Sequence, residues 1–169
     1  IWDDNRRDHA YAELRTDGQT GRATRATFSD WRIAGCPHQG PGLAIGADGV
    51  PHAVWYEATH GPTLWYGQLD PGHAPRHKLA LAFAGAAHAD VATDGTNVWL
   101  AWNQIDAAGY ALVVRTSTDG GVHFSAPRTL ARSHGDVGSP QWLLHQHRAY
   151  VAWNTATGFR LLKLDGAPR

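Results

Sequence analysis

Three short segments set the problem: "HAVWYE" (His52–Glu57), "WLAWNQ" (Trp99–Gln104) and "YVAWNT" (Tyr150–Thr155). Each alternates along its length and reaches a tryptophan, Trp55, Trp102 and Trp153, at intervals of 47 and 51 residues. Alternating aromatic, β-branched and small residues over this length read as strands rather than helices. The flanks repeat as well. Before the first two lie "GLAIGADG" and "HADVATDG", short apolar runs ending in Asp48–Gly49 and Asp94–Gly95. Asp-Gly supplies the positive φ of a tight hairpin, so each pair reads as strand–turn–strand. "PQWLLHQHR" holds that place in the third copy, with His145–Gln146–His147 as its turn. Downstream, "GPTLWYGQLD", "GYALVVRTSTDG" and "GFRLLKLDG" each close another strand on an aspartate, and "HAYAELRTDG" near the N-terminus matches them. The aspartates fall at Asp17, Asp70, Asp119 and Asp165.

A recurring antiparallel unit of three or four strands, with a period near fifty, predicts an all-β fold, a β-propeller of four-stranded blades. No 3.6-residue period survives across these segments, and a β-sandwich does not account for in-phase copies. The expected layout is one region over 1–169, with a partial blade at about 9–30 and blades at about 42–83, 88–131 and 139–169. About three and a half blades do not close a ring without bare edges. The expectation is therefore a fragment or half of a larger ring, completed by another chain, a further copy or the remainder of the propeller.

Composition narrows the partners. Hydrophobic residues at 43 % and charged ones at 18 % suit a globular chain. Lys+Arg 15 balances Asp+Glu 15, and no basic cluster tracks a phosphate backbone, so nucleic acid is not expected. No apolar run reaches the roughly 20 residues of a membrane span. The chain begins at Ile1 and has no Met, which reads as a removed leader or a piece of a longer product.

"STDGGVHF" places Ser117, Asp119, Gly121 and Phe124 in the spacing S-x-D-x-G-x-x-F. This resembles the Asp-box, or bacterial neuraminidase repeat, of the sialidase-like propellers. The Asp119 carboxylate can accept N–H bonds within its own hairpin, Gly120–Gly121 permit positive φ, and Phe124 can plug the turn. The resemblance implies a structural staple between a blade's third and fourth strands, and a secreted or periplasmic location. "RTDGQTGRATRATF" (Arg15–Phe28) aligns without gaps to Ser117–Leu130 and keeps Asp17 and Gly18, but has Arg15, Gln19 and Arg22 where Ser117, Gly121 and Phe124 stand, a decayed box. A catalytic sialidase of this family is expected to carry an arginine triad, a Tyr–Glu nucleophile pair and an Asp acid/base. Here Arg32–Ile33–Ala34 only echoes the family's Arg-Ile-Pro. Tyr56 and Glu57 are strand neighbours pointing to opposite faces, and Arg115 and Arg160 fall on outer-type strands.

The single cysteine lies in "GCPHQGP", Gly35–Pro41, the connection entering the blade that starts at Gly42. With "FAGAAHAD" (Phe83–Asp90) and "RSHGDVGSP" (Arg132–Pro140), it is expected to open onto one face at the mouth of the central channel. Cys36, His38, His88, Asp90, His134 and Asp136 are the candidate ligand or metal residues. Cys36, His38 and His88 would suit copper or zinc. Alternatively Pro37 and Pro41 stiffen a structural turn around a small apolar Cys36; catalysis by Cys36 is the third reading. Exposed aromatics near the channel, Trp31, Tyr56 and Trp142, can stack on sugars or seat a partner. His73 and His77 read as solvated in an outer loop. The favoured function is a non-catalytic binding module for a protein partner or glycan, against a sialidase-like hydrolase or a metal-holding protein.

Overall fold

The computed structural model describes residues 3–36, 38–146 and 148–164. Pro37, His147 and Asp165, which the sequence reading used, lie outside the described residues. Among the described residues the fold is all-β and every strand pairing is antiparallel: a two-stranded pair, two four-stranded sheets and one three-stranded sheet, none closing on itself. No helix among the described residues is long and apolar enough to cross a membrane.

The N-terminal pair joins β1 (Ala10–Tyr11) to β2 (Thr24–Arg25). The next sheet runs β3 (Gly42–Ile45), β4 (Pro51–Glu57), β5 (Thr63–Asp70) and β6 (His73–Ala82) in chain order. The second runs β7 (Ala86–Thr93), β8 (Val98–Asp106), β9 (Gly109–Ser117) and β10 (Arg128–Ser133). The third has β11 (Gln141–His145), β12 (Arg148–Thr155) and β13 (Gly158–Lys163). The in-phase repeat is thus one meander per copy, and the expected spans 42–83, 88–131 and 139–169 each enclose most of one sheet. His73 and His77 correct their reading as loop residues: both lie in β6, an edge strand. The edge position is what admits Pro75, because an outer strand leaves one row of N–H groups without a ladder partner.

Successive sheets lie face to face, and the core is divided among their interfaces. Val54, Leu64, Tyr66 and Leu81 of the first four-stranded sheet bury against Val91, Val98, Leu100, Trp102 and Val113 of the second. Ala92, Trp99, Ala101, Leu112 and Val114 then bury against Ala149, Val151 and Trp153 of the third. A smaller cluster of Ala53, Trp55 and Leu69 is covered by Ala26 and Tyr11 of the N-terminal segment. The three repeated tryptophans hence do one job, each filling the interface with the element before its own sheet. β8 is apolar on both faces because it is covered on both, the pattern of a strand inside a stack.

One local network fixes the N-terminal end of this arrangement. Asp8 is buried, and its carboxylate accepts the Ser29 N–H at 2.9 Å and hydroxyl at 3.1 Å and is paired with Arg25. That network ties the otherwise ladder-poor N-terminal segment together. The Asp17 turn keeps one aspartate-to-backbone bond, from Gln19 N at 3.0 Å.

The Ser117–Phe124 hairpin joins β9 to β10. Ser117 Oγ donates to Asp119 Oδ1 at 2.7 Å and accepts the Gly121 N–H at 2.9 Å. Asp119 also accepts the His123 N–H at 2.9 Å. These donors, the His123 backbone first, hold the Asp119 carboxyl far below the usual carboxylate range. The hairpin also clasps the preceding sheet: Gln68 Nε2 donates to Gly120 O at 2.8 Å, and Phe124 meets Tyr66 edge-on at 4.8 Å.

Candidate functional site

The starts of the first strands of three sheets converge. β7 touches β3, β4 and β5 on one side and β11 on the other. Between them opens a cavity of about 460 Å³ lined by Pro41, Gly42, His88, Asp90, Ser139 and Trp142 among others. A second, of about 360 Å³, is lined by Gln39, Tyr56, His88, Asn103, Tyr110 and Val137 among others. His88 borders both, so the two adjoin as one double cleft.

His88 owes that position to backbone geometry. The β7–β8 register slips between Ala87 and Asp90, a bulge, and His88 adopts φ 53. A bulge turns a side chain out of the strand's alternation, and positive φ at a non-glycine residue is tolerated only where its surroundings impose it. Those surroundings include Gln39, whose Oε1 accepts the His88 N–H at 3.3 Å. His88 and Asp90 therefore belong to a strand that starts at Ala86, in line with the reading of "HADVATDG" as a strand and a correction to the connection expected through Asp90.

Asp90 is the carboxylate of the cleft. Its Oδ2 accepts the Trp142 backbone N–H at 2.8 Å, linking β7 to β11. Burial pushes its carboxyl above the ordinary range, opposed by the backbone donors of Trp142 and Val91. Gly42 leaves the space for it: a Cβ there would stand 2.9 Å from Val54 Cγ2 and 3.1 Å from Asp90 Oδ1. Asn103 forms the floor of the other half, donating from Nδ2 to Gly138 O at 3.0 Å and accepting at Oδ1 from Trp153 Nε1 at 2.9 Å.

The other anticipated ligands are elsewhere. Cys36 and His38 are exposed, and neither lines the double cleft; the same holds for His134 and Asp136. Among the described residues no group of three or more His, Cys, Asp or Glu is placed to hold a metal ion, so the six residues do not gather into a ligand set. Trp31 is buried with its ring 5.5 Å from Tyr56, so it offers no exposed face; Tyr56 and Trp142 are half-buried and do line the cleft. Gln39, Asn103 and Tyr110 were missed from sequence. Asn103 left a trace, the Trp-Asn pair repeated at Trp153–Asn154.

The arginines considered for carboxylate binding are engaged away from the cleft. Arg115 donates to Ser125 O at 2.7 Å, Arg160 to Arg132 O at 3.3 Å, and Arg32 pairs with Asp4 at 3.4 Å. Glu57 accepts from Trp55 Nε1 at 3.1 Å and Lys78 Nζ at 3.3 Å, on the face opposite Tyr56. No family model, no curated protein and no solved structure matches this chain.

A buried histidine lies behind the Ser117–Phe124 hairpin. His52 Nδ1 is 2.7 Å from the Tyr66 hydroxyl, and its Nε2 is buried without a partner. Burial lowers its pKa from 6.5, and burial likewise lowers that of His9. The unfolded chain therefore takes up these protons first, and stability is full above about pH 6.5 and falls on acidification below it. Urea midpoints measured between pH 7.5 and 5 are expected to decline, with a shallower slope in His52→Gln. A flat profile would contradict burial of the neutral imidazoles.

Proposed function

We propose that the chain is part of a sialidase-like, Asp-box β-propeller that acts outside the cytoplasm as a binding module, holding a glycan in the cleft around His88 without cleaving it. The observation that carries the binding site is the double cleft itself: two cavities at the convergence of three sheets, sharing one strained histidine. Its lining suits a saccharide. Tyr56, Tyr110 and Trp142 offer aromatic surface, while the Gln39 amide and the His88 imidazole offer donors and acceptors for hydroxyls. The propeller reading is supported by the face-to-face four-stranded meanders and by the hairpin at Ser117–Phe124 between third and fourth strands. Export follows from the family resemblance alone.

Turnover is disfavoured by the residues present. A sialidase-like hydrolase would need a Tyr–Glu nucleophile pair, an Asp acid/base and an arginine cluster for the substrate carboxylate, tyrosine being that family's departure from the usual pair of carboxyl groups. The described lining has Tyr56, Tyr110 and Asp90 but no glutamate and no arginine, and Asp90 already accepts a backbone hydrogen bond. Calorimetric titration with sialyllactose and with lactose, run beside a fluorogenic sialoside assay, decides the matter. Saturable binding of one sugar is expected, without fluorophore release, and weakened about tenfold (about 1.4 kcal/mol) by Tyr110→Ala. Release of fluorophore would make the chain a hydrolase; silence with both sugars would remove the glycan reading.

A further inference from the structure

The two faces of a stacked sheet differ in what they carry. β8 sends Val98, Leu100 and Trp102 toward the sheet before it, and Trp99, Ala101 and Asn103 toward the sheet after it. On that following face Ala101 pairs with Val114 and Asn103 with Leu112. Against them lies Trp153, its Nε1–H donating to Asn103 Oδ1 at 2.9 Å.

The same register recurs one sheet later. β12 sends Ala149, Val151 and Trp153 backward, leaving Tyr150, Ala152 and Asn154 on the opposite face. Ala152 pairs with Leu161 and Asn154 with Phe159. Position for position, Tyr150 stands for Trp99, Ala152 for Ala101, Asn154 for Asn103, Leu161 for Val114 and Phe159 for Leu112. Coverage is what differs. Leu112 and Val114 are 0 % and 1 % exposed, whereas Phe159 and Leu161 are 67 % and 52 % exposed, beside Leu143 at 51 %. A hollow of about 240 Å³ lies on this face, lined by Gly138, Ser139, Gln141, Ala152, Asn154 and Phe159. An apolar cavity of about 150 Å³ admits benzene, so this one is large enough for an indole.

We propose that this face of β11–β13 seats a further β-sheet of the same repeat, whose tryptophan enters the hollow and donates its indole N–H to Asn154 Oδ1. The occupant is specified by the interface one sheet earlier: an apolar sheet face with a tryptophan at the position of Trp153. A second copy of this chain does not meet that specification. Its tryptophans at the repeat position, Trp55, Trp102 and Trp153, are each 2 % exposed or less, and Trp55 Nε1 already donates to Glu57. The docking face rests on the stacking of the repeats and not on the saccharide reading.

The test extends the full chain with a duplicate of its residues 135–164, joined after Arg169 by a flexible linker. The duplicated sheet is expected to fold on the first. Slowly exchanging amides appear in the added segment, its tryptophan is shielded from acrylamide, and Tm rises. Asn154→Ala in the original copy is expected to return that shielding toward the exposed value, yet to leave the Tm of the unextended chain unchanged. An added segment that exchanges freely at unchanged Tm overturns the docking face. Shielding that survives Asn154→Ala overturns the indole pairing. A dimer of the unextended chain in sedimentation, dissociated by Phe159→Glu, would give the face to a second copy instead. Saccharide titration of the unextended chain stands apart from each of these outcomes.

Discussion

Trp102→Ala is expected to lower the unfolding free energy by about 3–5 kcal/mol, the range for removing a buried large aromatic side chain. Trp102 is fully enclosed between two sheets, among Val54, Leu64, Tyr66, Leu81, Leu100 and Val113. The rigid ladders on either side limit how far the gap can collapse, so the cavity cost adds to the lost transfer energy. Against a total stability of about 5–15 kcal/mol this is a large fraction. Phenylalanine at the same place is the informative control. Trp102 Nε1 is buried without a hydrogen-bond partner, so Trp102→Phe forfeits volume alone. Trp153→Phe also strands the Asn103 acceptor, since Trp153 Nε1 donates to it, and is expected to cost about 1 kcal/mol more. Urea unfolding followed by far-UV circular dichroism checks both comparisons. A loss under about 1 kcal/mol for Trp102→Ala would contradict an interface held by these tryptophans.

The second large effect is expected at a glycine. Gly121 has φ 85, and a Cβ on it would stand 1.9 Å from the Tyr66 hydroxyl oxygen and 2.9 Å from Cζ. Gly121→Ala therefore combines left-handed strain with a steric clash against a buried tyrosine whose hydroxyl meets His52. About 3 kcal/mol or more is expected from the two causes together. Tyr66→Phe removes the nearest clashing atom but not Cζ, so the double variant should recover part of the loss. Thermal unfolding of the four proteins of this cycle measures the coupling, and strict additivity would show that the hairpin does not press on Tyr66.

Much of the strand pattern was legible because its causes are local. Aromatic and β-branched residues marked β4, β8 and β12 as strands, although only β12 is buried with period two, and the Asp-Gly turns followed from side-chain chemistry: Gly49 has φ 74, and Asp94 Oδ1 accepts the Asn97 N–H at 2.7 Å. The Ser117–Phe124 spacing likewise encoded hydrogen bonds spanning at most four residues. The start of β7 was read two ways, as the strand "HADVATDG" and as a connection through Asp90, for the converse reason. "AAHAD" has little strand propensity of its own, and pairing with the edge of β8 imposes the conformation. His73 and His77 were misjudged in the same way, since an edge strand need not alternate or exclude proline.

The cleft shows where the division falls. The sequence by itself determined an all-β chain of repeated antiparallel units, the recurrence of three tryptophans and the wiring of one hairpin, because each depends on strand-forming residue types or on neighbours within a few residues. Only the tertiary structure decided that His88 leaves its strand's alternation, that Asp90 receives Trp142, and that Gln39, Asn103 and Tyr110 share a wall while Cys36 and His134 do not. Those groups come from the connection before β3, from three strands of the second four-stranded sheet and from β11, brought together by the packing of large apolar faces. That packing is non-directional and roughly proportional to the area buried, so it leaves no mark at the residues it places side by side.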